Sequence, residues 1–85
     1  MDYSTLTPGA MLAEFRRERR WSRPSLIAEM GTRGYCFTPR QVELVERGGA
    51  VSADIALAIL DTLDVSEDKR AAFEAAVLRA ARRDG

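Results

Sequence analysis

The sequence predicts an all-α protein, a bundle of five helices, and three observations lead to this prediction. Apolar residues recur every three or four positions, as in amphipathic helices, and no comparable stretch alternates with the period of two that is typical of strands. An apolar residue is followed directly by Ser or Thr five times at nearly even spacing. The chain has 85 residues, of which 46% are hydrophobic, so we expect one core and one domain over residues 1–85.

Each of these five pairs is predicted to start a helix. A Ser or Thr at the N-cap accepts a hydrogen bond from the first turn, and the apolar residue before it can pack on the second turn. Pro8 and Pro39 follow two of the caps, at the first helical position, where a missing N–H costs nothing. Gln41 completes a capping box with Thr38. The five pairs are Leu6-Thr7, Trp21-Ser22, Phe37-Thr38, Val51-Ser52 and Val65-Ser66.

Glycines are predicted to end two of the helices. Gly31 and the pair Gly48-Gly49 follow periodic segments and can adopt the left-handed conformation. The predicted helices are 8–19, 22–30, 38–47, 52–63 and 66–82. The apolar positions expected to face the core are Leu12, Phe15, Leu26, Ile27, Met30, Val42, Val45, Ile55, Ile59, Leu60, Leu63, Phe73 and Val77. The last helix, with Phe73, Val77, Leu78 and Ala81, is expected to close the core, and pairing with its twin in a dimer is the alternative.

The composition excludes several classes of protein. The chain has one cysteine, so no intramolecular disulfide can form, and without His the common zinc patterns are absent. It has no phosphate-binding glycine loop and no activated nucleophile, so we expect no enzyme, metal or cofactor. No apolar run approaches the roughly 20 residues of a membrane span, and residues 1–10 do not resemble a signal peptide. We expect a cytoplasmic protein with no membrane partner.

The charge is balanced overall but unevenly distributed. The 13 basic and 13 acidic residues give a net charge of zero. Residues 1–50 carry eight arginines against six acidic residues, whereas residues 51–85 carry five basic and seven acidic residues. Five arginines lie within residues 16–23. They form either a solvated helix end, with arginine stems covering apolar surface, or a surface that attracts phosphate.

Four segments, in order, resemble the first four helices of the Cro/repressor-like (XRE) helix-turn-helix family. They are residues 12–22 (LAEFRRERRWS), 26–31 (LIAEMG), 38–48 (TPRQVELVERG) and 52–66 (SADIALAILDTLDVS). The resemblance covers residues 8–66. It implies a DNA-binding domain whose third helix is the recognition helix.

The sequence departs from the family pattern at three places. Residues 32–37 enlarge the turn before the recognition helix. Arg23 stands where relatives often have Gln, and Pro39 occupies a position that often carries a base-reading side chain. Fewer side chains of this chain are therefore expected to contact bases directly than in its relatives.

The resemblance also implies which side chains meet DNA, since the recognition helix lies in the major groove with its N-terminal residues at the base edges. Arg40 is expected to donate two hydrogen bonds to guanine, Glu43 to accept one from cytosine, and Leu44 to contact a thymine methyl. For each of these three, an ordinary surface or packing role is the alternative. Arg23 and the helix starts are expected to bind phosphate. The residues expected at the interface are Arg23, Arg33, Thr38, Pro39, Arg40, Gln41, Glu43, Leu44 and Arg47.

Two further residues carry structural expectations. The resemblance implies that Glu46 pairs with an arginine of the first helix, which here is Arg16, at salt-bridge distance and partly buried. Cys36, between Tyr35 and Phe37, is expected to be a small buried hydrophobe rather than a redox switch.

Together these observations predict a sequence-specific DNA-binding transcriptional regulator, a small repressor or phage-type control protein. The modest positive charge of the N-terminal part indicates few phosphate contacts, so we expect a homodimer on operator DNA with two half-sites. The alternative is a protein-protein interaction module, antitoxin-like or an adaptor, on the same fold without direct DNA readout. Neutral charge, Pro39 and the acidic C-terminal third favour this alternative.

Overall fold

The computed structural model describes Tyr3 and residues 5–84, with side chains as far as Arg82. Within these residues the chain forms five helices and no strand, so the predicted all-α class is confirmed. None of these helices is long and apolar enough to cross a bilayer. The predicted domain also includes residues 1, 2, 4 and 85, which lie outside this description. The helices are α1 (Pro8–Glu18), α2 (Arg23–Thr32), α3 (Pro39–Glu46), α4 (Ala53–Leu63) and α5 (Glu67–Asp84).

The predicted N-caps are confirmed. Ser66 Oγ accepts a hydrogen bond from the Lys69 N–H at 3.3 Å. In the capping box, the Gln41 N–H donates to Thr38 Oγ1 at 3.1 Å, and the Thr38 N–H donates to Gln41 Oε1 at 2.7 Å. The predicted bounds agree with the observed helices to within two residues. The other hydroxyls that accept from the first turn of their helices belong to Thr7, Ser22 and Ser52.

One predicted helix end is wrong. Gly31 lies inside α2, which continues to Thr32, and the left-handed residue is Gly34, with a φ of 88°. The Tyr35 N–H donates to the Met30 carbonyl at 2.9 Å and the Gly34 N–H to the Gly31 carbonyl at 3.1 Å, so α2 ends in a Schellman motif. This later end brings the Tyr35 side chain against the core, where it contributes apolar contact. Part of the enlarged turn is therefore helix.

The core forms one cluster around α1. α1 packs against α3, α4 and α5, while α2 packs against α3 and α4. Side chains from the connecting segments cover the edges of the cluster, among them Leu6, Trp21 and Phe37. The largest fully buried side chains are Met11, Leu12, Phe15, Leu26, Met30, Val42, Ile59, Thr62 and Leu63.

α5 contributes only one face to this core. Phe73 and Ala76 are buried, and α5 packs against α1. Three residues that were expected to close the core are instead exposed: Val77 at 42%, Leu78 at 59%, and Ala81. α5 rests mainly on α1, and the helix turns by about 100° per residue, so the step from Ala76 to Val77 leads away from that contact. Closure of the core by α5 thus depends on Phe73 and Ala76.

α1 and α3 approach so closely at Gly9 that a side chain has no room there. A Cβ added to Gly9 would overlap the backbone carbonyl oxygen of Val45. We expect Gly9→Ala to destabilise the protein by about 3 kcal/mol, because one of the two backbones must move.

Gly31→Ala is the matched control, since Gly31 is helical and no atom lies within 4 Å of an added Cβ. This substitution should stabilise the protein by about 0.5 to 1 kcal/mol, the usual advantage of alanine over glycine in a helix. Urea unfolding followed by circular dichroism measures both changes. A Gly9→Ala protein as stable as the wild type would contradict the close contact of α1 with α3.

Candidate nucleic-acid interface

α3 divides cleanly into an inner and an outer side. Val42 and Val45 are buried, as predicted, and they lie against the core. Glu43 is half-buried. The residues of this segment that are exposed to solvent are Thr38, Pro39, Arg40, Gln41, Leu44 and Arg47. The side that the sequence assigned to DNA is therefore accessible.

Both ends of α3 are held firmly. The capping box closes its first turn. At the other end Gly48 has a φ of 96°, as predicted, and the Gly49 N–H donates to the Leu44 carbonyl at 3.0 Å. A helix of eight residues is too short to be stable alone, so these ends and the packing of its inner side maintain it.

Arg40 is the free cation of this surface. Its side chain is exposed in the first turn of α3, and within the described residues it has no salt bridge or side-chain hydrogen bond. Arg47, in contrast, pairs with Glu43 one turn earlier, with 2.9 Å between Arg47 Nη2 and Glu43 Oε1. Glu43 and Arg47 are thus partly occupied with each other, which was not predicted, and Gln41 is occupied by the predicted capping box.

Leu44 is the apolar residue of the exposed side and is 48% exposed. Beside it runs an open groove of roughly 370 Å³, which is lined mainly by apolar side chains from α3, α4 and the segments before them. The lining includes Phe37, Leu44, Val51 and Ile55. This surface offers an apolar contact next to the polar residues of α3.

A buried ion pair ties α3 to α1, and the predicted partners are confirmed. Arg16 donates from Nε to Glu46 Oε2 at 2.8 Å and from Nη2 to Glu46 Oε1 at 3.1 Å. Both side chains are at least nine-tenths buried. The third donor of Arg16, Nη1, binds the Trp21 carbonyl at 2.8 Å, just before α2. The guanidinium therefore connects α1, the start of α2 and the last turn of α3.

Arg23 is a second partner of Glu46, which the sequence analysis missed. Its Nε donates to Glu46 Oε1 at 2.6 Å, while 36% of its side chain stays exposed. Arg23 was expected to bind phosphate, and its Nε is instead engaged within the protein. The signal in the sequence was a cation at the residue that opens α2.

These contacts determine the protonation of Glu46. Burial raises the pKa of its carboxyl group, but the hydrogen bonds and charges of Arg16 and Arg23 outweigh burial, so the pKa lies below its usual value. The hydrogen bond to Glu46 also raises the pKa of Arg23. The Glu46 carboxylate and the Arg23 guanidinium are therefore charged at neutral pH.

The enlarged turn is anchored to α4 through Asp61. The Tyr35 hydroxyl donates to Asp61 Oδ2 at 3.0 Å, and Arg33 Nη1 lies 3.6 Å from the same oxygen. The hydrogen bond to Asp61 raises the pKa of Tyr35. Arg33, which was expected to contact the DNA backbone, is therefore within salt-bridge distance of a carboxylate and still about half exposed.

Cys36 is exposed, so the expectation of a buried thiol is wrong. The segment from Tyr35 to Thr38 has no regular secondary structure, and half-buried and exposed residues alternate along it. Tyr35 and Phe37 pack against the core, which leaves Cys36 pointing to solvent.

The arginines of residues 16–23 are mostly engaged with the protein itself. Arg19 donates from Nη1 to the Leu63 carbonyl at 2.7 Å and lies 4.9 Å from the centre of the Trp21 ring. Arg17 pairs with Glu14 at 2.6 Å. Arg16, Arg19 and Arg23 thus bind groups of the protein itself, while Arg17, Arg19 and Arg20 remain exposed to solvent. Among the residues described, no group of His, Cys, Asp and Glu is arranged to hold a metal ion.

Glu46→Gln should destabilise the protein by about 3 kcal/mol, because Arg16 then remains buried without a charged partner. Glu43→Gln is the matched control: it removes the same charge from the same helix, but from a pair whose arginine is exposed. Its cost should stay below about 1 kcal/mol. Urea unfolding at pH 7 compares the two, and equal losses would contradict a structural role specific to Glu46.

The buried pair also makes stability depend on pH. Because the folded pKa of Glu46 is lowered, its contribution is fully present above the unfolded value, about 4.3, and is lost as the pH falls through the folded value. The wild type should therefore lose more stability than Glu46→Gln on acidification below about pH 5. The pKa of Glu18 is lowered as well, chiefly by its hydrogen bond from Tyr3, but this effect is common to both proteins. If the free energies of unfolding of the wild type and of Glu46→Gln fall equally as the pH is lowered, the role assigned to Glu46 is wrong.

A scan against models of protein families finds no match to this chain. Searches of curated proteins and of solved structures find no match either.

Proposed function

We propose that the chain is a sequence-specific DNA-binding transcriptional regulator in which α2 and α3 act as a helix-turn-helix and α3 enters the major groove. The observation that carries this proposal is the exposed side of α3, with the unpaired Arg40 in its first turn. A major groove about 12 Å wide admits one helix, and the N-terminal residues of that helix meet the base edges.

The rigidity of α3 supports this function. Its first turn is closed by the capping box, its last turn is bound to α1 and α2 through Glu46, and its inner side is buried. The backbone of such a helix loses little further freedom on binding, so only the side chains that contact DNA have to be ordered.

Two side chains of α3 are proposed to read bases. The guanidinium of Arg40 donates two parallel hydrogen bonds to O6 and N7 of a guanine. Leu44, one turn further along the same side, contacts a thymine methyl. Glu43 pairs with Arg47 and orients it, so cytosine recognition by Glu43 requires that pair to open.

Phosphate contacts are proposed at the starts of α2 and α3, where N–H groups and the helix dipole attract anions. The Nη groups of Arg23 and the half-exposed Arg33 add positive charge near these starts. Because several arginines are engaged within the protein and the net charge is zero, one copy makes few such contacts. We therefore propose a homodimeric repressor that binds two half-sites about one helical turn apart.

A protein-protein interaction module is the second candidate, and the groove beside Leu44 favours it. In that case Leu44 and the apolar groove would contact a partner protein, and Arg40 would lie at the edge of the contact. The two candidates differ in whether Arg40 carries binding energy on DNA.

Replacing Arg40 with alanine should cost about 1 to 3 kcal/mol on the specific site, because a bidentate contact to one guanine is lost. The site is first selected from a random pool of duplexes, and fluorescence anisotropy then measures the affinity. The control is Arg17→Ala, which removes the same charge from an exposed position on α1. It should change the affinity much less.

Arg40→Ala should also relax the preference for guanine at one position, whereas a lost phosphate contact would weaken all sequences alike. Binding of the wild-type dimer should weaken as the salt concentration rises, since both copies contribute phosphate contacts. If the pool yields no enriched sequence, or if Arg40→Ala binds as tightly as the wild type, the regulator proposal fails and the interaction module is favoured.

A further inference from the structure

α5 presents a second, solvent-facing side that the proposed DNA contact does not use. Leu78 is 59% exposed, and at about 100° per residue it lies nearly opposite the buried Ala76. The exposed residues that lie within about 60° of Leu78 around the helix, and within one or two turns of it, are Ala71, Glu74, Ala75, Ala81 and Arg82. Glu67, at the start of α5, lies on the same side but about 16 Å further along the helix and is not counted in this set. We call this set, together with Leu78, the outer face of α5.

Around Leu78, the outer face of α5 has residues of similar size at equal spacing on both sides, but the charged residues on the two sides have opposite sign. Glu74 lies four residues before Leu78 and Arg82 four residues after it, while Ala75 and Ala81 lie three residues to either side. With a rise of 1.5 Å per residue, the two charges lie about 6 Å from Leu78 in opposite directions along the helix. In an antiparallel pair of identical helices centred on Leu78, Arg82 of one copy would lie level with Glu74 of the other copy, and this would occur at both ends of the contact.

From this pattern we infer that the outer face of α5 is the site where a second copy of the chain docks, α5 against α5, antiparallel, with Leu78 at the two-fold axis. The inference deepens the homodimer of the proposed function and rests on it. A two-fold interface must be self-complementary, and this face meets that condition twice, through Glu74 and Arg82 of each copy. The flanking alanines let the two helices approach closely around Leu78.

The charges also select the orientation and the face. A parallel arrangement would bring Glu74 against Glu74 and Arg82 against Arg82, which is repulsive. The other strongly exposed leucine, Leu57 on α4, is 60% exposed but has the acidic residues Asp54 and Asp61 within one turn on either side. A copy of that face would meet like charge, so it is not self-complementary.

Leu57 thus supplies a matched control for Leu78. Sedimentation velocity of the full chain is expected to show a concentration-dependent dimer for the wild type and for Leu57→Glu. Leu78→Glu should raise the dissociation constant of the dimer at least about tenfold, because two carboxylates then meet at the axis. Circular dichroism verifies that each variant is folded. A wild type that remains monomeric at about 1 mM, or a Leu78→Glu dimer as tight as the wild type, would overturn the inference.

Charge exchange tests the antiparallel arrangement. Glu74→Arg alone and Arg82→Glu alone should each weaken the dimer, since like charges then meet at both ends. The double variant, Glu74→Arg with Arg82→Glu, should recover the wild-type dissociation constant to within about threefold. Failure of the double variant to recover, with both single variants weakened, would refute the antiparallel pairing.

The DNA proposal is tested separately on the same proteins. On a duplex with one half-site, Leu78→Glu should bind as a wild-type monomer does, whereas on a duplex with two half-sites it should lose at least about tenfold in affinity. A dimer that dissociates with Leu78→Glu but binds no specific DNA would keep this interface and reject the DNA function. If the protein binds specific DNA and Leu78→Glu leaves the dimer intact, the DNA function is kept and this interface is rejected.

Discussion

The buried carboxylate of Glu46 is the interaction on which the arrangement of this protein depends. It lies in the last turn of α3 and accepts hydrogen bonds from Arg16 of α1 and Arg23 of α2. Burial of a lone carboxylate would be strongly unfavourable, so the two guanidinium groups are required for it to remain charged. Because three helices contribute to this one network, their relative positions are coupled.

The short α3 shows why such coupling is needed. Eight residues cannot maintain a helix in water, and α3 is stabilised by its capping box, by its buried valines and by Glu46. Gly9 adds a further constraint, because α1 touches the backbone of α3 at Val45 without an intervening side chain. The exposed side of α3 is therefore presented by a rigid support rather than by a flexible segment.

The same network limits how much positive charge remains for a ligand. Arg16 is buried, Arg19 binds a helix end, and the Nε of Arg23 is held by Glu46. Arg40, in the first turn of α3, is exposed and has no salt bridge among the described residues, as is also true of Arg20 and Arg82. In the proposed regulator, each copy would make few contacts with DNA, and the proposed pairing of two copies through α5 would provide the missing affinity.

The sequence by itself determined the helices, their caps and the inner sides of α1 to α4, because these features depend on neighbours within about four residues. The Arg16–Glu46 pair also followed from the sequence, through a family resemblance rather than through spacing. The tertiary structure alone decided that Gly34 rather than Gly31 ends α2, that Cys36 and Val77 face solvent, and that Arg23 and Arg33 meet Glu46 and Asp61. Each of these outcomes depends on which residues, distant in the sequence, the packing of the helices brings into contact. The local spacing of residue types does not determine those contacts.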